Sequence, residues 1–389
     1  MAANNTKKIV FAVIGAVALA LLGYYLYRTW GPRLGARAPS SDSTGSGSVG
    51  SLRTPIPGIG TSGSPLPAPG EGITTGGAQG ITVYRLTDFP VIAPALNKKE
   101  DKIVFYQKNG GNMYESDFTG AGLQKISNFT IVGLFEALWS PSRDRSILFY
   151  LSEDDVKSFL IVGTSSVTSL PMNIKSLSWS PDGKEFAYFI DDQNPAGAAL
   201  AISPAQGTRP RIVGHIPVFD AQLQWVSADI MAIQTAPSGL APGSLFAYSR
   251  SSGALRRIAG SRNGLTSLWS PAGTRVWTTF TNNKGHDLAN EIYSRAGKKE
   301  RAGGKVPVLP GKCAWIDTND MFCGLPKSVP NNAILPDDYL RGDLWTLDRL
   351  ALFNLKTNET TYILEDTNFD ISKYIRIFVN KYTRIMTTK

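Results

Sequence analysis

The side chains that could do chemistry in this chain of 389 residues are few. It holds two histidines, His215 and His286, and two cysteines, Cys313 and Cys323. A catalytic triad or a metal site needs a histidine set in place by partners. His215 follows a strand-like stretch and His286 sits in a Gly/Asn loop, so both read as surface or structural groups. The sequence has no Gly-x-Ser-x-Gly pentapeptide to expose a nucleophilic serine. No cofactor and no metal is expected. Carboxylates are the remaining candidates, because paired acids need only meet in space. Glu153, Asp154 and Asp155 form one acidic stretch, Asp191 and Asp192 a second, and Asp287, Asp337 and Asp338 lie in later loops.

The cysteines flank Asp317-Thr318-Asn319, one on each arm of an expected hairpin and equidistant from Thr318. A cross-strand disulfide and a pair of buried thiols both fit that placement. The bonded form would staple a short loop in an oxidising compartment.

What must position these groups is a repeat. Trp179-Ser180-Pro181-Asp182-Gly183-Lys184 precedes the apolar run Glu185 to Ile190. Pro sets φ early in the turn and Gly supplies the positive φ that closes it. The pattern returns at Trp139-Ser140-Pro141 and Trp269-Ser270-Pro271, and in degenerate form at Trp225 and Trp315. These tryptophans are about 40–46 residues apart, the period of a four-stranded propeller blade. Weaker copies start at Ile92-Ala93-Pro94 and at Phe378. Each unit reads as inner strand, hairpin, second strand, third strand and outer strand, with no helical periodicity after residue 30. The fold class is therefore all-β. Seven hairpins predict a seven-bladed β-propeller, with six the alternative count. Trp139, Trp179, Trp225, Trp269 and Trp315 are expected to pack between successive blades.

The Trp-Ser-Pro-Asp-Gly-Lys hairpin resembles the TolB-type, WD-like β-propeller repeat over about residues 81–389. The resemblance speaks for the fold and says little about function. TolB proteins carry a separate N-terminal α/β domain, and here other segments stand in that place. Ile9 to Tyr27 is an apolar run of 19 residues, long enough to span a bilayer. Lys7 and Lys8 precede it, and Tyr24, Tyr25, Tyr27 and Trp30 lie at interface depth. Residues 1–30 are thus expected to be an uncleaved transmembrane signal anchor rather than a cleaved signal peptide. The short N-terminal tail favours a propeller outside the cytoplasm. Residues 31–80, about two thirds Gly, Ser, Pro or Thr, read as a disordered linker with a span of about 40 Å.

The formal net charge of +9 shows no cluster of basic residues on a reading element, so nucleic acid is not expected as a partner. In a propeller, all loops between second and third strands emerge on one face. The acidic stretches, His286 with Asp287, and the apparent insertion at 324–343 fall in those loops, where function gathers on rigid scaffolds. The expected function is a non-catalytic docking or assembly platform in a bacterial cytoplasmic membrane, with an envelope protein as partner. The alternative is an enzyme or glycan sensor using carboxylates in a central pocket.

Overall fold

The computed structural model describes residues 68–74, 82–153, 155–191, 194–195, 197–218, 220–302, 308–344, 346–357, 359–364, 376–379 and 384–387. The expected anchor at 1–30 lies outside them, as does most of the expected linker. Among the described residues no helix is long and apolar enough to cross a membrane.

Two short strands open the chain, β1 (Gly72–Thr74) and β2 (Thr82–Tyr84), paired with each other. β1 falls inside the stretch 31–80. Six four-stranded antiparallel sheets follow, each a contiguous meander. Blade 1 is β3 (Val91–Leu96), β4 (Ile103–Gln107), β5 (Met113–Ser116) and β6 (Gln124–Lys125). Blade 2 is β7 (Leu134–Trp139), β8 (Arg145–Ser152), β9 (Asp155–Val162) and β10 (Ser166–Ser169). Blade 3 is β11 (Ile174–Trp179), β12 (Glu185–Ile190), β13 (Ala198–Pro204) and β14 (Arg211–Ile216). Blade 4 is β15 (Ala221–Trp225), β16 (Ile230–Thr235), β17 (Pro242–Ser249) and β18 (Leu255–Asn263). Blade 5 is β19 (Thr266–Trp269), β20 (Arg275–Phe280), β21 (Ala289–Ser294) and β22 (Lys299–Ala302). Blade 6 is β23 (Cys313–Trp315), β24 (Asp320–Pro326), β25 (Asp348–Asn354) and β26 (Thr360–Leu364).

The protein is a six-bladed β-propeller, and the seven-bladed expectation is corrected. The seventh hairpin exists as β27 (Arg376–Val379) and β28 (Arg384–Thr387), a separate two-stranded sheet. The backbone of β27 lies beside both β23 and β3, between the last blade and the first. Completing a blade there would require β1–β2 to pair with it, but the ladders run within each hairpin.

The repeat motif explains the blade turns. Ser180 is buried, and its Oγ accepts from Glu185 N (3.0 Å) while donating to Asp182 Oδ1 (2.7 Å). Gly183 has φ +68° and donates its N–H to Ser180 O. Arg145 N to Ser140 Oγ (3.2 Å) and Arg275 N to Ser270 Oγ (3.2 Å) repeat the bond. The serine thus satisfies a backbone donor that the tight turn would otherwise bury without a partner. That hydroxyl and the Lys184 amide hold the Asp182 carboxyl below its usual range.

The core lies between blades. Trp179 joins Ile147, Leu160 and Phe149 of blade 2, and its Nε1 donates to Leu138 O (3.1 Å). Trp139 stacks on Tyr106 of blade 1 at 5.3 Å and donates to Ala93 O (2.6 Å). Trp225 packs with Leu200 and Ile202 of blade 3, Trp269 with Leu245 of blade 4, and Trp315 with Trp277 of blade 5. Each tryptophan is seated in the preceding blade, where its large apolar area fills the wedge between diverging sheets.

Candidate protein-interaction face

Antiparallel order sends every loop between second and third strands to one face, together with every link from an outer strand to the next blade. Blades 4, 5 and 6 interlock there. The insertion between β24 and β25, residues 327–347, carries the short helix α1 (Asp337–Arg341) and crosses above blade 5 to reach blade 4. Asp337 fixes its far end: Oδ1 accepts from Ser238 Oγ (2.9 Å) and Oδ2 from Gly239 N (2.6 Å). Leu335 N donates to Gly285 O (2.8 Å), and His286 Nδ1 donates to Ala333 O (2.9 Å). A Cβ on Gly239 would stand 2.3 Å from Leu335 O, so only glycine allows this approach. Leu288, Leu309, Ala333, Leu335 and Leu344 bury against one another underneath.

A polar group that sequence reasoning missed lies below this cap. Lys312 Nζ reaches both carboxylate oxygens of Asp348 (2.8 and 2.6 Å) and Thr346 Oγ1 (2.5 Å). The two side chains are 6% and 2% exposed, so the pair has both charge and hydrogen bonding to offset desolvation. Tyr339 of α1 covers the ammonium at 5.4 Å, and its hydroxyl is pushed up to about 12 by burial and by Asp348. No spacing in the sequence joins Lys312 to Asp348; only the register of blade 6 does.

The acidic residues singled out earlier divide into two groups. Asp337 and Asp338 fasten the insertion, Asp338 accepting from Ile334 N (2.8 Å) and pairing with Arg341. Asp287 accepts from Asn282 Nδ2 (2.9 Å) in its own loop. Glu153 forms the tight β8–β9 turn with φ +56°, beside the exposed Asp155. Asp191 directly follows β12, and Asp154 and Asp192 lie outside the described residues. His215, on β14, has Nε2 3.2 Å from Asn194 Nδ2 and stands two blades from His286. Among the described residues no three His, Cys, Asp or Glu side chains gather to hold a metal ion.

The loop face also exposes apolar side chains. Val132 (73% exposed), Phe135, Leu151, Val156 and Met172 surround the tip of blade 2. Leu151 N donates to Gly133 O (3.0 Å), which brings Val132 to the β8–β9 tip. Phe135 occupies a register shift of β7 against β8, and such a bulge re-aims a side chain off the sheet. Leu240, Leu340 and Leu347 add exposed leucines on the cap over blades 4 to 6. Sequence reading passed these residues over because Val132, Phe135 and Leu151 merge with apolar neighbours such as Ile131, Leu134 and Tyr150.

The central channel is poor in ionisable groups. The inner strands of the six blades carry Glu136 and Lys175 and no other charged side chain. On blade 6, Cys313 and Cys323 are opposite one another in register and form a disulfide, with Cα atoms 4.1 Å apart.

No family model and no curated protein matches the chain by sequence. Solved structures do match its fold. An oligogalacturonate lyase in complex with manganese is 16% identical, with a TM-score of 0.53, over 77% of this chain and 85% of that one. The oligogalacturonate lyase of Vibrio parahaemolyticus is 12% identical, with a TM-score of 0.50, over 76% and 84%. TolB from Acinetobacter baumannii is 11% identical, with a TM-score of 0.45; the alignment covers 72% of this chain and 65% of TolB. The chain has a TolB-like propeller fold. At these identities the likeness is one of architecture and does not carry function.

Proposed function

We propose that this protein is a membrane-tethered, non-catalytic platform whose loop face captures a protein partner in the cell envelope. One observation carries the reading: exposed apolar side chains and the elaborated loops share one face of a rigid ring. Val132, Phe135, Leu151 and Val156 at one rim and Leu240, Leu340 and Leu347 on the cap are the kind of surface that marks a protein-binding site. The apolar run Ile9 to Tyr27 supports the tether, and the Cys313–Cys323 bridge supports an oxidising compartment outside the cytoplasm. The rival reading, a pocket of converging carboxylates, finds Glu136 alone among the acids of the inner strands.

The test is double substitution Leu151→Asp with Leu340→Asp in the full-length protein, followed by affinity recovery of its partner from membranes. Both residues are solvent-exposed, so the melting temperature should stay within the range of surface changes. Recovery should fall by roughly 30-fold if either residue is an anchor of the interface. Undiminished recovery by a folded double variant contradicts the reading.

A further inference from the structure

The face opposite the loops carries a basic band. Arg256 and Arg257 on β18, Arg295 and Lys298 at the β21–β22 turn, Arg301 on β22 and Lys356 at the β25–β26 turn cross blades 4 to 6. The band is built rather than scattered. Arg256 donates to the carbonyls of Arg295 (3.0 Å) and Ala296 on the next blade. Arg301 repeats the arrangement one blade on, donating to Leu355 O and to Lys356 O (3.1 Å). A Cβ on Gly297 would meet Arg257 O at 3.3 Å, which places β18 against that turn.

Binding carbonyls orients these guanidinium groups without neutralising them. None of the six has a carboxylate partner among the described residues. The neighbouring ion pairs are Arg275 with Glu300, Lys299 with Glu291 and Arg250 with Glu185. All of the band except Arg301 is exposed.

The chain enters the propeller on this same face. Gly70 N donates to Arg85 O (2.9 Å), and a Cβ on Gly120 would stand 3.1 Å from both Gly70 N and Leu86 Cα. Gly120 lies in the β5–β6 turn, the blade 1 equivalent of the turns that carry Arg295, Lys298 and Lys356. Gly70, near the start of the described residues, therefore lies on the basic side.

We propose that this band docks the propeller on the anionic headgroups of the membrane that holds the chain, and so turns the loop face outward. The proposal rests on the tether of the proposed function. Lipid is favoured over nucleic acid because Gly70, on the chain side of the proposed tether, lies on this face and the disulfide fits an extracytoplasmic compartment. Each basic residue near an anionic surface strengthens attraction roughly fivefold, and salt screens it.

Full-length protein is mixed in detergent with phosphatidylcholine, with or without phosphatidylglycerol, and the vesicles formed on detergent removal are floated. Amine labelling of Lys298, Lys356 and the loop-face Lys284 is then followed by mass spectrometry. The proposal expects Lys298 and Lys356 to label at least about fivefold more slowly in anionic vesicles. It expects Lys284 to be indifferent to lipid, and the protection to vanish at about 1 M salt. Arg257→Glu with Arg295→Glu, both exposed, should abolish the protection at Lys356 without moving the melting temperature. Equal labelling in both lipids overturns the docking proposal while leaving the tether intact. Flotation with anionic vesicles alone overturns the tether and keeps the band. Flotation with neither overturns both. Displacement of the protein from anionic vesicles by duplex DNA at low salt, with protection of Lys298 and Lys356 on the DNA, would reassign the band to nucleic acid and overturn the lipid reading.

Discussion

Tryptophans that look equivalent in the repeat are not equivalent in their bonds. Trp179 Nε1 donates to Leu138 O, whereas Trp269 Nε1 is buried without a partner among the described residues. Trp179→Phe therefore leaves a backbone carbonyl stranded, and Trp269→Phe does not. Trp179→Phe should cost about 1–3 kcal/mol more than Trp269→Phe in urea unfolding. Equal losses would show that packing alone sets the contribution. Glu291 makes a second residue-level case. Burial pushes its carboxyl up, but Lys299, Tyr293 and Arg262 outweigh burial and hold it below its ordinary range. A lowered native value means that its stabilisation is complete above the unfolded value of about 4.3 and is lost as pH falls through the lower native value. The melting-temperature gap between wild type and Glu291→Gln should be constant near neutral pH and should narrow in that acid window. A gap that widens there would contradict the ion-pair account.

At the scale of elements, blade 6 holds both staples. The Cys313–Cys323 bridge closes a hairpin with a sequence separation of 10. Cutting it should cost about 3 kcal/mol through restored freedom of the unfolded chain. Denaturant unfolding with and without reductant measures this, and an unchanged midpoint would mean the bridge constrains nothing. The insertion is fastened at its far end by Asp337, on Ser238 Oγ and Gly239 N. Asp337→Ala should raise amide exchange across residues 327–344 by roughly tenfold or more, since hydrogen bonds to a charged group contribute about 1.5–3 kcal/mol. Exchange in blades 1 to 3 should not change. Uniform loss of protection would show that the insertion supports the whole ring rather than riding on it.

At the scale of the molecule, the sequence carries the propeller because its period and turn chemistry are local. Trp, Ser and Pro open the inner hairpins of blades 2, 3 and 5, Gly closes those of blades 3 and 5, and Ser180 and Ser270 act through bonds only five residues long. Blade number is less local. Seven hairpins were countable, but whether β27–β28 joins β1–β2 depends on ends nearly 300 residues apart, and the ladders keep them separate. The face was legible in outline, since loop position follows from strand order. Its chemistry was not. Asp337 and Asp338 look like an exposed acidic pair until their partners, supplied by 238–239, 334 and 341, are in place. The exposed apolar set escapes any window, because Val132, Leu151 and Leu340 meet one face only after the ring is built.

Position-resolved photo-crosslinking in cells tests the central claim most directly. A photoreactive residue is placed in turn at Leu151, Leu340 and Ile212, all exposed, with Ile212 on the outer strand of blade 3, away from the loop face. The account predicts one and the same protein joined to the chain from Leu151 and Leu340 and none from Ile212. Capture from Ile212 alone, or equal capture from all three, would contradict it.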